Sequence, residues 1–201
     1  MFYRPEEGHG LPRNPFKAIV APRPVGWISS RDVDGTDNIA PYSFFNAVAD
    51  EPPQVMFAST GAKSDQEGSK DSVSNIRRAG VFCVNIVEYA MRTQMNATSG
   101  AYGKDVDEFE HAGLASAPCE TIPCTRVEGA PAALECQLSE VVRLRGEANC
   151  LVLGEVIGIH LRDDCMSDGR FDVLNFQPLA RLGYRDYSRI TELFEMARPS
   201  D

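Results

Sequence analysis

From residue 16 onward, short apolar runs alternate with Pro-, Gly- and Asp-rich breaks, the mark of strands joined by turns. Residues 17–21 and 25–31 predict two short strands parted by Pro22-Arg23-Pro24. Asp34-Gly35 signals a hairpin turn into a run over 38–45, and Pro52-Pro53 opens another strand over 54–59. A polar stretch over 61–70 leads into 71–79, where Val73, Ile76 and Ala79 recur at helical spacing. Ser69, Asp71 or Ser72 can cap that helix, and Gly80 stops it. The run over 81–87 reads as a buried strand, 88–99 as a helix and 105–114 as a short acidic one.

Two longer strands follow. Over 134–144, Glu140 interrupts an otherwise apolar face, which predicts a bulge near it. Residues 150–161 are apolar on both faces, so this strand needs a cover on each side, and a subunit interface would supply the second. Asp168-Gly169 is a further turn, and 190–197 predicts a terminal helix. Seven or so strands in hairpin order with inserted helices fit a mainly β fold, a small Greek-key barrel. Strict β–α alternation is missing, which excludes a doubly wound parallel sheet.

The 201 residues suit one compact domain over 16–187, with an arm over 1–15 and a helix and tail over 188–201. Twenty Lys and Arg against 29 Asp and Glu give a net charge of −9, which disfavours nucleic acid and anionic membranes. The first residues carry no apolar leader and no run is long enough to span a bilayer, so a cytoplasmic protein is expected. On that basis Cys83, Cys119, Cys124, Cys136, Cys150 and Cys165 read as reduced core thiols. His9, His111 and His160 are scattered, and no nucleophile-elbow, phosphate-loop or dinucleotide motif is present. Side-chain catalysts are scarce. Any enzyme chemistry would rest on a bound cofactor, and no metal site is expected.

Two segments look unlike scaffold. In 38–46, Pro41 removes an N–H inside an apolar run, and Ser43 and Asn46 flank two phenylalanines. This is either an edge strand entering a loop or an exposed backbone edge that faces a flat ligand. In the second, Ser59 ends a strand and Lys70-Asp71-Ser72 opens a helix, so N–H groups, a dipole end, an ammonium and a hydroxyl converge. That is either an ordinary capped helix or a site for a phosphate-sized anion. Trp27 reads as core or interface before cofactor wall, and His160 as a satisfied structural histidine.

Ala21-Pro22-Arg23-Pro24-Val25-Gly26-Trp27-Ile28-Ser29-Ser30, Asn38-Ile39-Ala40-Pro41-Tyr42-Ser43-Phe44-Phe45-Asn46 and Pro52-Pro53-Gln54-Val55-Met56-Phe57 together resemble the flavin reductase-like, FMN-binding split-barrel family. Lys70-Asp71-Ser72 with Asn75-Ile76, Val84-Asn85 and Leu182-Gly183-Tyr184 extend the resemblance over roughly 16–187. It implies a homodimer of six-stranded antiparallel split barrels holding FMN near the subunit boundary. It also implies that Trp27, Ile28 and Ser29, with Ala40, Pro41, Tyr42, Ser43 and Asn46, lie along the flavin. Ser59, Lys70, Asp71 and Ser72 would hold its phosphate end. The implied activity is oxidation of NAD(P)H by FMN, with electrons passed to a flavin, a protein or a partner monooxygenase. A flavoredoxin-like electron carrier is the alternative. The family's two-component reductases carry a histidine before the C-terminal Gly-Tyr, whereas residues 178–184 have none. Arg181 or Arg185 could meet a nicotinamide phosphate there, or be plain surface charges.

Overall fold

The strands form where the alternation is strongest, as seen in a computed structural model that describes residues 1–61, 70–103 and 106–199. Ser69, most of the polar stretch before it, and residue 105 lie outside the described residues. Helix α1 (Phe16–Ile19) precedes β1 (Arg23–Pro24), β2 (Gly26–Arg31), β3 (Asp37–Tyr42), β4 (Phe45–Asp50) and β5 (Pro53–Ser59). Helix α2 (Asp71–Ala79) leads to β6 (Val81–Ile86), and α3 (Arg92–Ala97) and α4 (Glu108–His111) lead to the hairpin β7 (Ser116–Pro118)–β8 (Thr125–Val127). The long strands β9 (Ala132–Arg143) and β10 (Cys150–Leu161) follow. The hairpin β11 (Met166–Ser167)–β12 (Arg170–Phe171), α5 (Val173–Phe176), β13 (Leu179–Arg181) and β14 (Tyr187–Arg189) complete the chain.

The main sheet runs β3-β2-β6-β9-β10-β5-β4, antiparallel at every pairing. Its two edges are consecutive strands, so the sheet curls into the expected mainly β barrel. The sheet has seven strands rather than six because the 38–46 run is not one element. It bends at Ser43-Phe44, sending β3 to one edge and β4 to the other. Gly26 permits the bend to close, since a Cβ there would lie 2.7 Å from Phe45 Cγ. Val73 and Ile76 on one face of α2 pack into the barrel core with Ile28, Phe57, Phe82 and Val152. Each such buried side chain contributes roughly 1.5–3 kcal/mol. Gly80, at φ 73°, ends α2 in the left-handed conformation, as its position predicts. Lys70 is the N-cap, without a capping side-chain bond, so Asp71 and Ser72 lie inside the helix rather than capping it.

The bulge near Glu140 is present. Leu153 pairs with Glu140 and Gly154 with Leu138, leaving Ser139 extra, and a second irregularity falls between Val156 and Gly158. The outer face of β10 leaves Ile157, Ile159 and Leu161 exposed at 41%, 58% and 48%. Buried Glu135 on β9 accepts from Glu120 N, Thr121 N and Thr121 Oγ1 at 2.6, 2.7 and 2.5 Å and meets His160 Nε2 at 2.5 Å. His160 is thus the satisfied structural histidine the sequence suggested, and Glu135 anchors the loop over 119–124. All six cysteines are free thiols, five of them buried.

Three elements differ from expectation. Residues 17–21 form the end of α1 and a coil rather than a strand, because the Arg23 guanidinium gathers the carbonyls of Lys17 and Val20. The 88–99 helix splits into a 3-10 turn, Tyr89–Met91, and α3. The 190–197 segment is coil: Leu193, Phe194 and Met196 are exposed, so an apolar helical face there would have nothing to pack against. Instead Tyr187–Arg189 pairs with β13, extending a small sheet ordered β1-β13-β14. The N-terminal segment closes onto this sheet, for a Cβ at Gly183 would collide with Ala18. Among the described residues no helix is long and apolar enough to cross a membrane.

Candidate functional site

The two segments singled out in the sequence lie against each other. Ser72 Oγ donates to Asn38 Oδ1 at 2.8 Å, fixing the first turn of α2 to the edge strand β3. Ser30 Oγ and Asn75 Nδ2 continue this contact at 3.5 and 3.4 Å. From the other side Glu108 Oε2 accepts from Asn38 Nδ2 and from Ile39 N, each at 2.8 Å. Asp107 makes this possible by capping α4, accepting from Phe109 N and Glu110 N. The edge of β3 is therefore held by side chains from two helices before Pro41 interrupts its donors.

Ala40, Pro41 and Tyr42 form one wall of a groove of about 240 Å³, and Lys70, Asp71 and Ser72 form the other. Thr98–Ala101, at the end of α3, close its side. Pro41 and Ser99 also line a second cavity of about 530 Å³, to which Ser43 belongs, so the groove continues past the end of β3. Lys70 Nζ stands 5.5 Å from the centre of the Tyr42 ring. Burial pushes the Tyr42 phenol up to about 12, with the nearby Ser72 and Ser59 hydroxyls acting more weakly the other way. Tyr42 is therefore a neutral donor throughout the physiological range. Neither its hydroxyl nor Ser59 Oγ completes a well-formed hydrogen bond among the described residues, although both are buried.

Of the sequence-predicted residues, Ala40, Pro41, Tyr42, Lys70, Asp71 and Ser72 share one groove and Ser43 continues it. Ser59 is buried beside Tyr42. The side chains of Trp27, Ile28 and Ser29 are placed elsewhere: Trp27 and Ile28 are fully buried in two separate core clusters. Ser29 Oγ donates to Thr125 O at 2.5 Å. Asn46 is exposed on β4, and its own side chain accepts from Ala47 N at 3.1 Å. Sequence reasoning missed Asn38, Thr98, Ser99, Glu108 and Arg23 as residues shaping the cavities. Asn38 and Arg23 stood inside quoted motifs. Thr98, Ser99 and Glu108 gave no local signal, because only the tertiary fold brings them to β3.

Beside the carboxylates of Asp71 and Glu108, the latter taken up by Asn38 and the Ile39 N–H, this end gathers donors: a neutral phenol, buried hydroxyls unsatisfied among the described residues, an ammonium and the start of a nine-residue helix. It fits a phosphate ester with a polyol stem. The proline-interrupted strand and the open continuation fit a flat ring. The donor set thus suits FMN, the cofactor implied by the motifs.

A family model described as flavin reductase like domain matches residues 20–180. An uncharacterized protein of Deinococcus radiodurans is 35% identical over 90% of this chain and 82% of its own length. Nitrilotriacetate monooxygenase component B from Bacillus cereus superposes with a TM-score of 0.88, at 28% identity and 98% coverage of both chains. The 2-nitrobenzoate 2-nitroreductase of Pseudomonas fluorescens gives a TM-score of 0.80 at 29% identity, covering 92% of this chain and 89% of its own.

Proposed function

This chain belongs to the flavin reductase-like domain family, and on that premise we propose that it is an FMN-binding oxidoreductase that reduces flavin with NAD(P)H. The observation that carries this reading is the Ser72–Asn38 hydrogen bond of 2.8 Å, which makes the 70–72 turn and β3 two walls of one groove. Lys70 and the first N–H groups of α2, that of Ser72 among them, would hold the phosphate, with Tyr42 and Ser59 beside the stem. Ala40, Pro41 and Ser43 would lie along the ring. Bound FMN supplies two-electron acceptance, which no side chain of the groove can provide. The chain's own work is to bind, to orient and to shield the ring from water.

A second copy of the chain is proposed to cover Ile157, Ile159 and Leu161 on β10, giving a homodimer. The similarity to a monooxygenase component B and to a nitroreductase supports delivery of electrons to a partner oxygenase or a small acceptor. The histidine-free 178–184 stretch favours, as a second reading, a flavoredoxin-like carrier reduced by another protein. An absorbance spectrum of the purified protein before and after NADPH separates these. A flavin band that bleaches promptly supports the reductase, and one that persists supports the carrier. A colourless protein unable to take up FMN removes both.

A further inference from the structure

Arg23 and Arg181 are direct cross-strand partners in the β1–β13 ladder. Like charges so placed destabilise a sheet unless something offsets them. Arg23 is 6% exposed, and its Nη2 donates to Leu182 O at 2.8 Å while Nη1 serves the carbonyls of Lys17 and Val20. Among the described residues its buried Nε has no partner. Arg181 Nη2 donates to Tyr184 O at 2.6 Å, and its guanidinium stacks 4.3 Å from the Tyr187 ring centre. Burial and the adjacent Arg181 both lower the Arg23 pKa, the sign of a cation lacking a counter-charge.

Both arginines line the 530 Å³ cavity, together with Lys17 and Arg185, and no Asp or Glu is among the described residues around it. None of the four cations forms an ion pair among the described residues. Four unpaired cations around one cavity, in a chain of net charge −9, point to a polyanionic occupant. The cavity continues the flavin groove at Pro41 and Ser99. Through Met95, Asn96 and Tyr187 it also continues into a further cavity of about 640 Å³. There the Tyr89 ring carries the Arg92 and Arg189 guanidiniums at 4.2 and 4.1 Å. A single-ring acid would use only the nearest part of this trough, whereas a dinucleotide would use its length.

We infer that Arg23, Arg181 and Arg185, with Lys17, form the pocket for the phosphates of the nicotinamide dinucleotide, and that the 2′-phosphate of NADPH makes it the preferred donor over NADH. The inference rests on the flavin-reductase reading. A 2′-phosphate adds about two negative charges to the two of the pyrophosphate, a match for four cations. Arg23 is held rigid by three backbone carbonyls, and Arg185 is exposed and able to close on the ligand.

The test is calorimetric binding of adenosine 2′,5′-bisphosphate and of 5′-AMP to the FMN-loaded protein, alongside KM for NADPH and NADH at low and high salt. The bisphosphate is expected to bind at least about tenfold more tightly, with the preference shrinking at high salt. Arg181→Gln and Arg185→Gln are each expected to erase most of that preference, while Arg185→Lys restores part of it. Equal affinity for the two nucleotides, or a preference that survives both Gln variants, overturns the inference. FMN uptake is recorded on the same samples. A protein that takes FMN but shows no phosphate preference loses this pocket alone. One that discriminates the nucleotides but takes no FMN loses the flavin reading instead.

Discussion

The indole N–H of Trp27 donates to Thr98 Oγ1 at 2.9 Å in a fully enclosed hydrogen bond joining β2 to the turn after α3. Thr98 in turn donates to Met95 O at 2.9 Å, and it lines the groove that Trp27 itself does not reach. The tryptophan braces Thr98 from behind the groove, and Thr98 keeps its own bond to Met95 O. Trp27→Phe is expected to lower stability by about 1–3 kcal/mol in urea unfolding, since it leaves a buried hydroxyl short of a partner. FMN affinity should change little. A hundredfold loss of FMN affinity at unchanged stability would place the indole on the ligand.

Lys70 stands at the start of α2 with its ammonium near the Tyr42 ring. A charge-assisted bond to phosphate contributes about 1.5–3 kcal/mol, so Lys70→Ala should weaken FMN binding roughly 10- to 150-fold. Titration of flavin fluorescence measures it. An unchanged dissociation constant removes Lys70 from the site.

Burial alone would push the Glu135 carboxyl up. The hydrogen bonds from Thr121, His160 and the N–H groups of Glu120 and Thr121 outweigh it and hold the pKa at about 2. A folded pKa below the ordinary 4.5 means that the carboxylate stabilises the fold fully above about pH 5 and loses that contribution as pH falls through about 2. Glu135→Gln should therefore be less stable than the parent at pH 7 and lose less of its remaining stability between pH 7 and pH 3. Unfolding free energies at the two pH values check this. Equal acid sensitivity in the two proteins would contradict the latch.

Ile159 is the most exposed of the three apolar side chains at the end of β10. Placing a carboxylate in the proposed interface by Ile159→Asp should shift the protein from dimer to monomer in sedimentation or light scattering, without altering its far-ultraviolet dichroism. A parent protein that is monomeric at micromolar concentration would remove the dimer altogether.

The fold was most legible where its causes are local. Strand β10 and helix α2 occupy the residues their patterns predict, because two apolar faces and a Gly stop signal are written within each segment. The division of 38–46 into two edge strands was not legible. It depends on Phe45 packing over Gly26, a contact across the barrel that no local window contains. The coil at 190–197 misled for the opposite reason, having an apolar pattern but no surface to receive it. In the site, 40–42 and 70–72 were legible from their broken hydrogen-bond pattern and helix start. Trp27 read as core from its residue type, as the structure has it; it was the resemblance that set it along the flavin.

The packing of Ala18 over Gly183 has a practical corollary for handling the protein. Because the residues before β1 rest on the chain that bears Arg181 and Arg185, a bulky affinity handle fused close ahead of residue 16 would press on the donor-side pocket and could pass for a weak substrate affinity. Attached beyond the exposed coil after β14, the same handle would stand clear of that contact.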